Sequence, residues 1–472
     1  VLKEIDLKFS GIADDSRHVR KGDIFFAIRG ARFNGRKFIN EAVTKGAVAI
    51  VTDKNTPLGC KKVVRVIRVA DPRKALAQAA SDFYGNPSGK VKVIGVTGTN
   101  GKTTITYLLE EVFRAAGQQA GIIGTIAHRW ADKVIEARNT TPGSIELERL
   151  LSEMAAEGVR YCAMEVSSHS LDQGRVDGID FKAAIFTNIT GEHLDYHKTP
   201  ANYLKAKARL FSGLKSTGLA VLNADDPNCG KIKKKTKARV LTYGIKNKSD
   251  VTADEIKFGL DKTDFLVRSG KWGSFRLRSP LIGTFNVYNI LAVTACALDE
   301  GIGIEAIKKA VAGFRGAEGR LEAVKTGRDF KIFVDYAHTD DALENVLKAL
   351  RQLVKNRLIV VFGCGGDRDR FKRPKMGAVS SRLADYVVIT SDNPRSEEPS
   401  SISRQIEKGI GKGFGSYEII LDRYEAIKKA IEIARPRDIV LIAGKGHEKY
   451  QIIGDKVLPF SDKEVVQRIL NV

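Results

Sequence analysis

Val93-Ile94-Gly95-Val96-Thr97-Gly98-Thr99-Asn100-Gly101-Lys102-Thr103-Thr104 is the stretch that decides the fold. It reads as a buried β-strand, a glycine-rich turn, and Lys-Thr-Thr opening a helix that runs on through Tyr107-Leu108-Leu109. Glycines let successive backbone N–H groups face one concavity, and the helix N-terminus adds partial positive charge, so the turn can cradle a polyphosphate. In such a cradle Gly98, Thr99, Asn100, Gly101 and Thr104 line the phosphates, Lys102 reaches the β/γ-phosphates and Thr103 offers a hydroxyl to Mg2+. Val96 stands where the strict Walker pattern has its first glycine. The plain alternative is a strand-to-helix turn that binds nothing. The motif points to ATP or GTP and leaves open what the nucleotide is used for.

Outward from this turn the chain divides into three blocks, with expected domains at 1–89, 90–317 and 318–472. Asn86-Pro87-Ser88-Gly89 punctuates the chain just before the nucleotide-binding strand. In the second block Tyr161-Cys162-Ala163-Met164-Glu165-Val166, Ala183-Ala184-Ile185-Phe186-Thr187 and Leu219-Ala220-Val221-Leu222 are apolar enough to be buried parallel strands. A third block begins near Gly319-Arg320. Its strands are Lys331-Ile332-Phe333-Val334-Asp335, Leu358-Ile359-Val360-Val361-Phe362, Tyr386-Val387-Val388-Ile389-Thr390 and Ile439-Val440-Leu441-Ile442-Ala443. The expected class is α/β: a smaller N-terminal domain, a central P-loop domain with a mostly parallel sheet, and a Rossmann-like C-terminal domain.

The 472 residues exceed what one core usually supports, and 43% hydrophobic with 28% charged residues is ordinary for a soluble chain. No run approaches the roughly 18 apolar residues of a membrane span, so no membrane partner is expected. Five scattered cysteines (Cys60, Cys162, Cys229, Cys296, Cys364) form no Cys-x-x-Cys pair. Val1-Leu2-Lys3-Glu4-Ile5 resembles neither a signal peptide nor a transit leader. Together these set the expectation of a cytoplasmic protein, and a monomer is expected. The net charge of +22 suits a polyanion, whether nucleic acid or a phosphorylated small substrate, or simply a lysine-rich surface. Its densest cluster, Lys231 to Lys237, has no interleaved aromatics for base stacking.

Polar clusters follow the strands. They are Glu165-Val166-Ser167-Ser168-His169, Asn188 to His197, Asp335 to Asp341, Gly363 to Asp369, Ser391-Asp392-Asn393-Pro394-Arg395 and Gly444-Lys445-Gly446-His447-Glu448. One such cluster would be a solvated loop; six at the same sheet edges imply a cleft between domains.

Taken together these motifs resemble the Mur ligase family, the ATP-dependent amide-bond formers of peptidoglycan synthesis, over nearly the whole chain. Thr97 to Thr104 looks like that family's own P-loop variant, which accounts for Val96. Asp14-Asp15-Ser16-Arg17, Asn139-Thr140-Thr141-Pro142 and Asp392-Asn393-Pro394-Arg395 resemble the branch adding the third residue of the stem peptide. The resemblance implies phosphoryl transfer from ATP to a carboxylate of UDP-N-acetylmuramoyl-L-alanyl-D-glutamate, then attack on the acyl phosphate by the amine of meso-diaminopimelate.

By the same resemblance Lys102, Lys207, His193 and Glu165 are catalytic. Thr103, Glu165, His193 and a carbamylated Lys207 (N6-carboxylysine) are the magnesium set. From its residue type alone His193 reads as a satisfied loop histidine, and Lys205 competes with Lys207. Asn286, Asn289, Arg320 and Asp335 complete the ATP site across a domain junction. Ser16, Thr140, Thr141, Ser167, Gln173 and Arg175 are implied contacts to the UDP-sugar peptide. Arg368, Asp392, Asn393, Arg395, Gly444 and Glu448 are implied contacts to meso-diaminopimelate. A guanidinium at Arg395 suits the distal carboxylate of that amino acid, which lysine lacks. Two departures from the family pattern stand out. Ala31-Arg32-Phe33 replaces a His-containing run, and His338-Thr339-Asp340-Asp341 replaces His-Thr-Pro-Asp. The readings kept open are a lysine-adding or folylpolyglutamate-forming relative, and a basic P-loop nucleic-acid protein without ligase activity.

Overall fold

A computed structural model describes residues 8–30, 34–55 and 64–471. The readings made on 1–5, on 31–33 and on Cys60 fall outside these residues. Three main sheets follow one another along the chain. The first has four parallel strands, from Gly11–Ala13 to Arg65–Val69. The second has eleven strands between Lys92–Thr97 and Gly273–Ser279, and the third has six between Glu322–Val324 and Ile439–Ala443.

Strand Lys92–Thr97 lies near the middle of the large sheet, parallel to Tyr161–Glu165 on one side and Phe181–Phe186 on the other. Val93, Ile94 and Val96 are fully buried, as a strand covered on both faces requires. Helix Lys102–Ala115 covers one face and packs on helix Thr284–Asp299. Phe113 stacks on Tyr161 with ring centroids 3.9 Å apart. In the third sheet Leu358–Phe362, Ile439–Ala443 and Lys331–Asp335 are adjacent and parallel, so their carboxyl ends open on one edge.

Two parts of the large sheet differ from the mostly parallel expectation. Val251–Phe258, Thr263–Ser269 and Gly273–Ser279 extend one side as an antiparallel meander, and Ala127–Trp130 with Lys133–Glu136 forms a hairpin on the other. The meander carries alternating burial, with one face covered and one solvated, whereas the hairpin pairs a mostly buried strand with a mostly exposed one. The lysine cluster is an exposed surface segment: Lys231, Lys233, Lys234, Lys235 and Lys237 are all exposed around buried Ile232. The missing proline in His338-Thr339-Asp340-Asp341 does not disturb its helix. Asp340–Arg351 starts directly after Thr339, capped by the Thr339 hydroxyl 3.2 Å from the Ala342 N–H and led by two acidic residues that favour a helix N-terminus.

Helix Ser144–Ala156 of the central block packs against helix Pro72–Phe83 of the first. Between them lies Glu148, 1% exposed, with neither carboxyl oxygen hydrogen-bonded. Burial raises its pKa to about 8, and the charge of Asp82 adds to the shift. Among the described residues no helix is long and apolar enough to cross a membrane.

Candidate active site

The glycine-rich turn after Thr97 is held by contacts that leave no room for side chains. Gly101 has φ +90°, and a Cβ there would lie 2.4 Å from Asn289 Oδ1. A Cβ on Gly98 would lie 1.8 Å from Thr187 Oγ1. Asn100 N–H donates to Asn188 Oδ1 at 3.0 Å, and the Thr187 hydroxyl donates to Asn100 O at 2.6 Å. The loop is therefore pre-shaped by the neighbouring strand's end. Lys102 Nζ donates to Gly98 O and Thr99 O at 2.9 and 2.8 Å.

Glu165 ends the adjacent strand and is completely buried. It accepts from the Thr103 hydroxyl at 3.0 Å and from both the N–H and the hydroxyl of Thr125. Thr103 and Glu165 thus present hard oxygen donors at the helix N-terminus, the kind Mg2+ takes alongside phosphate oxygens. Among the described residues no group of three or more His, Cys, Asp or Glu side chains forms a closed metal site.

Lys207 and Lys205 separate cleanly. Helix Pro200–Ser212 points Lys205 to solvent and buries Lys207, which is 1% exposed. Lys207 Nζ donates to Gly98 O at 2.8 Å and sits 4.5 Å from the centre of the Tyr203 ring. Burial, reinforced by the like charge of Lys102, holds its amine well below the ordinary lysine pKa. Burial also lowers Lys102.

His193 has left-handed backbone, φ 57°, and its Nε2 is 3.8 Å from Glu192. Burial lowers its pKa while Glu192 opposes the shift. Glu192 lies inside the Asn188-to-His197 cluster, where its residue type alone gives it no role. Burial raises its pKa, but His193, His338, Lys102 and Lys207 together overcome this and keep it lowered. It is an anion set among these four basic groups, and only three-dimensional placement reveals it.

These residues line one cavity of about 760 Å3 between the central and C-terminal blocks. Thr99 to Thr104, Glu165, His193, Lys207, Asn286, Asn289, Arg320 and Asp335 all border it, as do Thr140 and Ser167. Hydrogen bonds cross the junction, among them Asn100 Nδ2 to Asp341 Oδ2 at 2.8 Å and Arg320 Nη2 to Thr103 Oγ1 at 3.1 Å. Asp335 accepts the Leu321 and Ala337 N–H groups at 2.5 and 2.7 Å, so here it fixes the turn that aims Arg320. Asn286 Nδ2 binds Ile282 O, and Asn289 Nδ2 binds Asn286 Oδ1.

The other two groups form their own clusters. Thr140 Oγ1 lies 3.1 Å from Thr125 Oγ1, whose one proton goes to Glu165, so the Thr140 hydroxyl is the donor of this pair. Thr141 Oγ1 donates to Glu165 O and accepts from Ser167 N–H, while the Ser167 hydroxyl caps helix Ser168–Asp172. Arg175 donates to Gln173 Oε1 and to Thr141 O. Ser16 stands apart in the first sheet's domain, donating to Glu41.

In the C-terminal block Arg395 has φ 53°, its N–H donates to Ile452 O at 3.1 Å, and its guanidinium donates to Gly366 O at 2.8 Å. No carboxylate of the described residues pairs with it within 4.0 Å. A Cβ on Gly365 would lie 3.0 Å from Arg395 Nη1 and 3.6 Å from Arg368 Cγ, so the two arginines flank that glycine. Asn393 Nδ2 donates to Glu448 Oε2 at 2.8 Å, and Asp392 Oδ1 accepts the Asn393 N–H at 2.6 Å. Gly444, φ +116°, passes so close to Asp392 that a Cβ would lie 2.7 Å from Oδ2. Aromatic contacts join this cluster to the cleft: Arg320 lies 4.6 Å from the Tyr336 ring centre, and Tyr336 lies 5.0 Å from the ring of His447.

A P-loop closed over by a second α/β domain, with a buried lysine beside it, defines a class. Three family descriptions match in order: "Mur ligase family, catalytic domain" over 8–84, "Mur ligase middle domain" over 96–297, and "Mur ligase, glutamate ligase domain" over 319–446. The chain belongs to the Mur ligase family. It is 48% identical over 459 residues to the UDP-N-acetylmuramoyl-L-alanyl-D-glutamate–2,6-diaminopimelate ligase of Geobacillus thermodenitrificans, covering 96% of this chain and 93% of that one. It is 45% identical to the ligase of the same name from Caldanaerobacter subterraneus, over 98% and 95% of the two chains. A solved structure of a ligase with that name superposes with a TM-score of 0.72 at 35% identity, covering 99% of this chain and 96% of the other.

Proposed function

We propose that this chain is an ATP-dependent ligase that joins meso-diaminopimelate to UDP-N-acetylmuramoyl-L-alanyl-D-glutamate in peptidoglycan synthesis. The observation that carries the reading is the convergence of Lys102, Thr103, Glu165, His193 and Lys207 on one cleft, with an unpaired guanidinium at Arg395 in the neighbouring domain. The names of the relatives support the two substrates. The working division is a UDP-sugar-binding domain at 1–89, an ATPase domain at 90–317 and an amino-acid-binding domain at 318–472.

In this reading ATP lies on the glycine-rich turn, and Lys102 exchanges its loop carbonyls for the β/γ-phosphates. Thr103, Glu165 and His193 would hold Mg2+, which neutralises phosphate charge as the γ-phosphoryl group moves to the substrate carboxylate. The buried neutral amine of Lys207 is the form that adds CO2, releasing a proton and leaving a carbamate anion. That converts a cation into the oxygen-bearing partner a second Mg2+ takes. Thr140, Thr141, Ser167, Gln173 and Arg175 orient the muramoyl dipeptide, with Ser16 toward its uridine. The amine of diaminopimelate then displaces phosphate from the acyl phosphate, its far end gripped by Arg395, Arg368, Asn393 and Glu448. Positioning supplies most of the acceleration in such a transfer.

The test is phosphate release from ATP with the UDP-muramoyl dipeptide, with and without meso-diaminopimelate. Release that requires the amino acid supports the ligase; release driven instead by nucleic acid, or by lysine in its place, overturns it.

A further inference from the structure

Behind the loops that carry Asn393 and Glu448 lies a cation shut off from solvent, to which the reading above gives no role. Arg423 opens helix Arg423–Glu432, Asp462 opens helix Asp462–Leu470, and both side chains are completely buried. The Arg423 guanidinium donates from Nε and Nη2 to the two oxygens of Asp462, at 2.7 Å each. Nη2 also donates to Ala443 O at 3.0 Å, and Nη1 donates to Ser391 O at 3.3 Å. Those two carbonyls stand where strands pass into loops, one just before Gly444 and the other just before Asp392.

The two strands are not neighbours, because Leu358–Phe362 lies between Tyr386–Ile389 and Ile439–Ala443. That middle strand is followed by Gly363, where a Cβ would lie 2.3 Å from Thr390 O and 2.9 Å from Asp392 N. No side chain keeps the outer loops apart there, and Arg423 spans the gap. Beyond the clamp the loops are tied again. Asn393 Nδ2 donates to Glu448 Oε2 at 2.8 Å, and buried Lys445 donates from Nζ to Asn393 Oδ1 at 3.2 Å and to Glu448 Oε2 at 3.1 Å. An apolar pair filling the space of Arg423 and Asp462 is often as stable as a buried ion pair. A planar fork with donors on three nitrogens does what an apolar pair cannot: it holds one carboxylate and two separate carbonyls at once.

We infer that Arg423, braced by Asp462, is a positioning residue for the amino-acid substrate: it fixes the separation between loop 391–395 and loop 444–448, and so the span between the groups that grip the far end of diaminopimelate. Arg423 acts through the carbonyls of Ser391 and Ala443, not on the ligand. The inference rests on the diaminopimelate reading above.

The experiment measures kcat and the KM for each substrate by amino-acid-dependent phosphate release, in the wild type and in Arg423→Lys, with the Tm of both. Lysine keeps the charge beside Asp462, but a single ammonium cannot hold the carboxylate and both carbonyls. The KM for meso-diaminopimelate should rise about tenfold, the scale on which a small displacement of binding groups acts. The KM values for ATP and for the UDP-muramoyl dipeptide should stay at the wild-type level. A merely structural role would lower the Tm and the active fraction, and with it the maximal rate, without moving any KM. An unchanged KM for diaminopimelate, or an equal rise in all three, overturns the proposal. A measurement on the wild type stands even where the variant does not fold: hydrogen–deuterium exchange in peptides covering 391–395 and 443–448 should already be slow before diaminopimelate is added. Fast exchange that slows only on binding would mean that the amino acid itself assembles the loops, and overturns the proposal. A wild type inactive with diaminopimelate overturns both readings. Normal wild-type turnover with an unmoved diaminopimelate KM in folded Arg423→Lys overturns the role of Arg423 alone.

Discussion

Two lysine amines share one carbonyl at the heart of the cleft, since Lys102 and Lys207 both donate to Gly98 O. That crowding and the burial of Lys207 favour its neutral amine, the form carbamylation needs. Lys207→Ala should therefore abolish ligation, and short carboxylic acids added to the assay should restore part of it. Full unassisted turnover in that variant would remove the carbamate from the mechanism. Arg395→Ala should raise the KM for meso-diaminopimelate about a hundredfold, matching a charged hydrogen-bond pair worth roughly 2–3 kcal/mol. Its ATP affinity, measured by calorimetry, should stay unchanged. At this scale sequence was a partial guide. A lysine two positions from another on one helix announces nothing by itself; burial of Lys207 and exposure of Lys205 need the packed fold. Glu192 and Lys445 sit inside polar clusters visible in the sequence, but a carboxylate among histidines and a lysine in a glycine turn both pass for solvated loop residues.

Elements were more legible than residues where their chemistry was one-sided. Runs such as Leu358–Phe362 and Ile439–Ala443 hold no polar residue, so only a strand buried on both faces suits them. The meander Val251–Ser279 was harder because its outward face is charged: Arg268, Arg276 and Arg278 reach across strands to Asp254, Glu255 and Asp264. Alternation of that kind is short in each strand and easily lost among turns. The glycine-rich turn was readable as a phosphate cradle, yet its tightness comes from an element far away in sequence. Because Thr187 Oγ1 would lie 1.8 Å from an added Cβ, Gly98→Ala should cost about 2 kcal/mol or more. A lowered Tm together with weakened nucleotide binding would show this, and an unchanged melt would mean the loop relaxes freely.

Across the whole molecule the joint between the first two blocks carries a buried acid. Glu148 is protonated in the folded protein up to about pH 8 but titrates near an ordinary carboxylate value when unfolded. The folded state then binds the extra proton between those values, so this group lowers stability as pH rises from about 4.5 to 8, with little further change above. Glu148→Gln removes that slope and should raise the Tm at pH 8 more than at pH 5. Equal shifts at both pH values would mean the carboxyl is hydrated at the joint.

At the opposite junction, Thr103 is touched by Arg320, Arg320 stacks on Tyr336, and Tyr336 meets His447, one residue before Glu448. In the proposed reading the nucleotide and the incoming amino acid would rest on opposite ends of one short chain of contacts. If each ligand favours the same seating of that chain, their affinities are linked, and linkage is symmetric. Whatever factor a non-hydrolysable ATP analogue contributes to diaminopimelate binding, diaminopimelate must return to the analogue. Titrations run in both orders should give one common factor above unity, and Tyr336→Ala should bring it toward one.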